Sequence, residues 1–259
     1  MNGGDDDLRL EDLEARFELA LEVSYRFQVT IGETDLVTLD VPTVYSYFLG
    51  VTYDTPNGND PAANGNQVLV FAGGPSVPVG AAPIASAPAD SSGGTYVSPS
   101  QGSTFPAGPL LVAYSVGPFT VSGATGNCPN IAATAYLPGG VSGSQPIQKT
   151  SPALGIQTAQ SAFITWSYSL PAGINPKQNG AWIGLWEGTV VPYDYPPAAY
   201  AAIPVPVNTG LSPMPALLAG KAQYVGALFT SGYNANPALL ERTAIAAVVM
   251  FTTGPPLPP

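Results

Sequence analysis

The sequence predicts an all-β chain made of two tandem antiparallel β-sandwiches behind an N-terminal extension. Three observations carry that prediction: an internal repeat, short strand-like runs between turn residues, and an alternating apolar stretch near the start. The repeat is visible by eye. "YDTPNGNDPAANG" (53–65) and "YSLPAGINPKQNG" (168–180) match at an offset of 115, aligning Tyr53 with Tyr168, Pro56 with Pro171, Gly58 with Gly173 and Gly65 with Gly180. The same offset sets "LLVAYSVG" (110–117) over "VGALFTSG" (225–232) and "AATAYLPG" (132–139) over "AVVMFTTG" (247–254). A fixed offset over separated blocks is the mark of duplication, and it fixes the domain organisation before any motif is weighed.

Within each copy, runs of Val, Ile, Tyr and Phe are bounded by Gly, Pro and Asn at a spacing of roughly ten residues, and each copy has about the ~100 residues of one sandwich. The divisions expected are an extension over 1–35, a first sandwich over 36–145 and a second over 146–259, linked by "GGVSGSQP". The repeated loop keeps its Pro and Gly positions while its other residues drift. Pro fixes its own φ, and Gly and Asn tolerate left-handed backbone, so what is duplicated is a turn shape.

The extension needs its own account. From Leu13 to Ile31 apolar residues alternate with polar ones, and Phe17, Leu19, Leu21, Val23, Tyr25 and Phe27 fall on one face. That is the period of a half-buried strand. "LRLEDLEARFELALE" is rich in helix formers, so a helical turn or two over 7–16 is expected first. The strand then runs over about 17–31 and turns at "IGETD" into another around 36–41. Its apolar face has two outlets: pairing as a long edge strand within the first sandwich, or lying across a neighbouring molecule as an assembly arm.

Composition narrows the function classes. Apolar residues are 45 % of the 259, enough for two cores, but charged residues are 9 % where ~25 % is usual. Eleven of the seventeen acids lie in the first 40 positions, leaving six acids and four basic residues in the remaining 219. A nearly uncharged body suits surfaces covered by neighbours, and equally a free protein with a neutral polar surface. Seven Lys and Arg without a cluster exclude counterion-release binding to nucleic acid. No run of ~20 apolar residues predicts a membrane span. The chain opens at Met1 without a basic stretch and apolar core, which predicts no secretory signal. The lone Cys128 excludes an internal disulfide.

Chemistry is sparse. There is no histidine, which removes Ser-His-Asp and Cys-His catalysis and the ordinary neutral-pH proton shuttle. Glu187 and Asp194 flank one loop and are the one carboxylate pair a hydrolase could use, but "GLWEGTVVPYDYPP" reads as a strand end and a turn. No cofactor motif is present, and neither cofactor nor metal is expected. Asp54 and Asp60, with Asn57, Asn59 and Asn64, are the oxygen donors a calcium ion would use, yet the matching loop lacks both acids. Aromatics are the remaining candidates. "VVPYDYPPAAYAA" places Tyr193, Tyr195 and Tyr200 on a Pro-rich loop beside Trp186, while the first copy's counterpart, "PSVPVGAAPIASAP", has no aromatic. Exposed tyrosine serves interfaces and sugar stacking alike.

The strand "GAWIGLWEG" (180–188) resembles the "DWIGLF…G" strand of SKICH-type and purple-acid-phosphatase accessory β-sandwiches, departing from it at Ala181, where those have aspartate. The resemblance implies an immunoglobulin-like topology for each copy and a binding or docking module, and carries over no active-site residue. The function expected is that of a non-enzymatic structural or interaction protein whose partner is itself. The alternatives are a carbohydrate-type binding module using the tyrosine loop, another protein as partner, and a hydrolase using Glu187 and Asp194.

Overall fold

The computed structural model describes residues 25–78, 80–117, 130–143 and 145–257. The fold is nearly all-β and of sandwich type, with four antiparallel sheets. The stretch predicted as helical turns, arm residues Phe17, Leu19, Leu21 and Val23, and Cys128 lie outside the described residues.

Among the described residues nine strands precede residue 151: β1 (Phe27–Leu36), β2 (Thr38–Val44), β3 (Leu49–Asp54), β4 (Gln67–Ala72), β5 (Ala85–Pro88), β6 (Gly94–Val97), β7 (Leu110–Ser115), β8 (Ile131–Leu137) and β9 (Gln148–Thr150). The second half holds β10 (Ala153–Ala159), β11 (Phe163–Ser169), the short helix α1 (Pro176–Asn179), β12 (Trp182–Glu187), β13 (Ala199–Ala202), β14 (Thr209–Pro215), β15 (Gln223–Phe229) and β16 (Ile245–Pro256).

In the first half a three-stranded sheet, β2-β3-β6, packs on a five-stranded one, β5-β4-β7-β8-β9. In the second, β10-β11-β14 packs on β13-β12-β15-β16-β1. Strand alternation supplies the core between layers: Leu49, Val51 and Val97 from one sheet meet Val68, Val70 and Val112 from the other, all nearly inaccessible to solvent. In the second half Trp166 and Met214 face Ile183, Ala246 and Phe251. One apolar cluster runs through both halves.

The outermost strands are where the two halves are joined. β9 leads into β10 but pairs with β8, Thr134 facing Thr150. β1 leads into β2 but pairs with β16 at the far end of the chain, Leu36 facing Ala247 and Phe27 facing Pro256. Each half thus donates its leading strand to the other half's larger sheet. The crossing between sheets is made by Val37, fully buried, whose N–H donates to the Ala246 carbonyl at 2.9 Å. The expected turn at "IGETD" is corrected here. The strand continues through those residues to Leu36 and absorbs Gly32 and Glu33 as an irregularity between Ile31 and Thr34, so turn-prone residues form a bulge instead of ending the strand.

β9 is short and exposed, and one ion pair steadies it: Lys149 Nζ lies 2.7 Å from Asp40 Oδ2 on β2. The lysine's hydrogen bond holds the Asp40 carboxyl below the usual carboxylate range; partial desolvation opposes this and the Val41 N–H adds to it. A depressed acid stabilises the fold above its unfolded value and loses that contribution as pH falls through the folded one. Both side chains are about half exposed, so the effect is at most about 0.5 kcal/mol. Asp40→Asn should therefore lower the unfolding free energy slightly at pH 7 in urea titrations, with the difference fading as pH falls below 3.8.

Candidate functional site

The repeated loops come first. In the second copy, Asn175 caps α1 by accepting the Gln178 N–H at 3.0 Å, Pro176 starts the helix, and Gly180 ends it at φ 68°. In the first, Asp60 Oδ1 accepts the Ala63 N–H at 3.1 Å and Gly65 has φ 67°. The closing bonds also correspond, Asn66 N–H to the Pro61 carbonyl and Ala181 N–H to the Pro176 carbonyl, each 2.8 Å. Asp60 therefore holds a turn, as Asn175 does. Asp54 bonds the N–H of Thr55 at 2.9 Å. Among the described residues no three His, Cys, Asp or Glu side chains gather in one place.

Both loops reach across to the opposite half. The Tyr193 hydroxyl donates to the Asn57 carbonyl at 3.3 Å, and the Val77 N–H donates to the Ala172 carbonyl at 2.8 Å; Asn57 and Ala172 are 115 apart. At each contact the neighbouring glycine leaves room. A Cβ on Gly58 would lie 2.8 Å from Tyr193 Cε2, and one on Gly173 2.9 Å from the Val77 nitrogen.

The predicted tyrosine loop is divided among three jobs. Tyr193 packs against Gly58 and its carbonyl accepts from Arg242 Nε at 2.7 Å; burial pushes its phenol well above the ordinary value. Tyr200 donates to the Ala235 carbonyl at 2.6 Å. Tyr195 alone is well exposed, at 68 %, while its carbonyl accepts from Trp186 Nε1 at 3.2 Å. Trp182 and Trp186 are buried on the outer face of the five-stranded sheet, where with Phe229, Val191 and Leu240 they form a second, smaller core. Trp182 stacks on Phe229 with centroids 4.0 Å apart. Tyr193 and Tyr200 pack against this core, while Tyr195 stays at the surface. Glu187 and Asp194 are both exposed. Tyr25 is exposed and Phe27 is buried under the end of β16.

A trough of about 460 Å³ lies between β1 and residues 189–191, lined by Glu33, Asp35, Val191, Val248 and Met250. Asp35 is already engaged, accepting the Asn57 N–H at 2.7 Å.

A second surface was not read from the sequence. The β2–β3 turn carries Tyr45, Tyr47 and Phe48, and β6 adds Tyr96. Tyr45 and Tyr47 stack at 5.7 Å, Phe48 lies 4.9 Å from Tyr45, and Tyr96 meets Phe48 edge-on at 5.5 Å. Tyr45 is 50 %, Tyr47 57 % and Tyr96 71 % exposed. The turn is pinned by Tyr45 N–H to the Phe48 carbonyl at 2.9 Å and by Phe105 N–H to the Ser46 carbonyl at 2.7 Å. No protein-family model matches this chain, and no curated protein matches it. The signal for this surface was three aromatics in four positions, "YSYF", where the second copy reads "QSAF".

Proposed function

We propose that this chain is a duplicated β-sandwich, 36–145 and 146–259 behind the extension 1–35, acting as a non-enzymatic structural or interaction protein that self-associates. The observation behind this reading is the nature of its surface. Among the described residues there is one ion pair, while Tyr96, Val190 and Leu217 are each 71 % exposed and Leu239 is 64 % exposed. Single exposed apolar side chains are ordinary. Many of them on a body with almost no charge leave little repulsion between copies. β1 adds a sheet edge that carries the exposed Ile31, with the exposed Tyr25 just before it.

Static light scattering of the full chain across a concentration series is the test. A weight-average mass that climbs above one chain is the expected result; a single-chain mass at the highest attainable concentration rejects self-association.

A further inference from the structure

We propose that the outer face of the β2-β3-β6 sheet, with the turn at 45–48, is a binding site for a neutral oligosaccharide. The site is built into the sheet. Thr43, Gly50 and Tyr96 lie in one row across the three strands, Gly50 facing both neighbours. A Cβ on Gly50 would sit 2.9 Å from Thr43 Cβ and 3.4 Å from Tyr96 Cε1, so the missing side chain is what lets the tyrosine ring lie down over the sheet. Phe48 then meets that ring edge-on and links it to the Tyr45–Tyr47 stack. Beside the rings is a hollow of about 160 Å³ lined by Pro42, Thr43, Gly50, Thr52, Gly94 and Tyr96 among others, with no charged residue in its lining.

The ligand class follows from that lining. A pyranose has one face of C–H groups and a rim of hydroxyls. The C–H face lies on the electron-rich face of an aromatic ring, while the rim needs donors and acceptors at the side. The hydroxyls of Thr43, Thr52, Tyr45, Tyr47 and Tyr96 make no hydrogen bond to the described protein and supply both. Without a lysine or arginine in the lining there is nothing to neutralise a uronic acid or a sulfate. The pinned turn and flattened ring reduce the ordering cost of binding.

The duplication provides an internal control. The second-copy turn keeps its bond, Gln160 N–H to the Phe163 carbonyl at 2.8 Å, but carries Gln160 and Ala162 where the first has Tyr45 and Tyr47. The equivalent row there is Thr158, Thr165 and Pro213, so both the glycine and the ring over it are gone. The scaffold does not require the platform.

The test is isothermal titration calorimetry and affinity electrophoresis of the full chain against soluble neutral glycans (cello-, xylo-, laminari-, manno- and chito-oligosaccharides and their polymers), with polygalacturonate and heparin as charged probes. The expected result is binding to at least one neutral glycan. Tyr96→Ala and Tyr47→Ala should each weaken it at least about tenfold, Gly50→Ala should weaken it by displacing Tyr96, and Tyr195→Ala in the other half should leave it unchanged. Matching thermal unfolding curves exclude misfolding of the variants. Silence across the neutral panel overturns the proposal, as does binding that survives Tyr96→Ala and Tyr47→Ala, or binding confined to the charged probes. If light scattering shows instead that Tyr96→Ala lowers the mass of an assembly while no glycan binds, the platform is a contact between copies and the sugar assignment fails, with self-association still standing.

Discussion

Trp166→Ala should cost about 3–5 kcal/mol of folding free energy. Trp166 on β11 is fully buried between the two sheets of the second half, and meets Phe251 edge-on at 6.0 Å. Its six-membered ring lies against Gly226 on β15, where a Cβ would be only 2.7 Å from Cζ3. The two residues therefore define one another. Gly226→Ala alone should cost about 1–3 kcal/mol through overpacking against a rigid ring. Combining Gly226→Ala with Trp166→Leu should cost less than the sum of the separate changes, because the smaller side chain vacates the space the methyl needs. Urea unfolding of the four proteins measures this coupling. Additive losses would mean that the ring and the glycine do not share that space.

The second large effect is expected at Val37→Asp. Val37 is the single residue between β1 in one sheet and β2 in another, it is wholly buried, and its N–H is bonded to β16. A carboxylate there has no partner, and leaving a buried charge uncompensated costs about 3–5 kcal/mol. Burial raises the folded-state pKa of such an acid, so the deficit should be smaller near pH 4 than at pH 7. Hydrogen exchange should show β1 and β16 losing protection together, with β3 and β7 affected least. Val37→Ala keeps the site apolar and should cost much less. Uniform loss of protection across all sheets would show that the joint between halves is not the local weak point.

Much of the fold was legible because turns are written in residue types that few others replace. Gly58 and Gly173 have φ of 86° and 90°, and Gly65 and Gly180 have 67° and 68°, so the repeated spelling reports repeated backbone. The partner of β1 was not legible. An offset aligns strands with their counterparts, but β1 has its counterpart in β9, which is short and lacks the alternating pattern. Gly32 and Asp35 look like turn formers, and only a neighbouring strand can decide that Gly32 belongs in a bulge while Asp35 pairs in register with Val248. Composition marks the tyrosine loop as a surface loop and leaves open whether its rings bind a ligand or pack on the sandwich. Trp182 and Trp186 face away from the main core, with Gly184 between them leaving space for both rings, and a surface that apolar must be roofed. Residues 191–200 and Leu240 provide the roof. The platform at Tyr45, Tyr47 and Tyr96 is not legible from the sequence because Tyr96 is distant in it, and only the register of β3 with β6 brings it beside Phe48.

The pairing of β1 with β16 also bears on how the protein is made. Synthesis runs from the amino end, so β1 leaves the ribosome long before β16 and must wait for it before it finds its place. At about 5–20 residues per second that wait is on the order of ten to forty seconds. Throughout it the nascent chain carries an unmatched ribbon, open to chaperones and to the wrong neighbour.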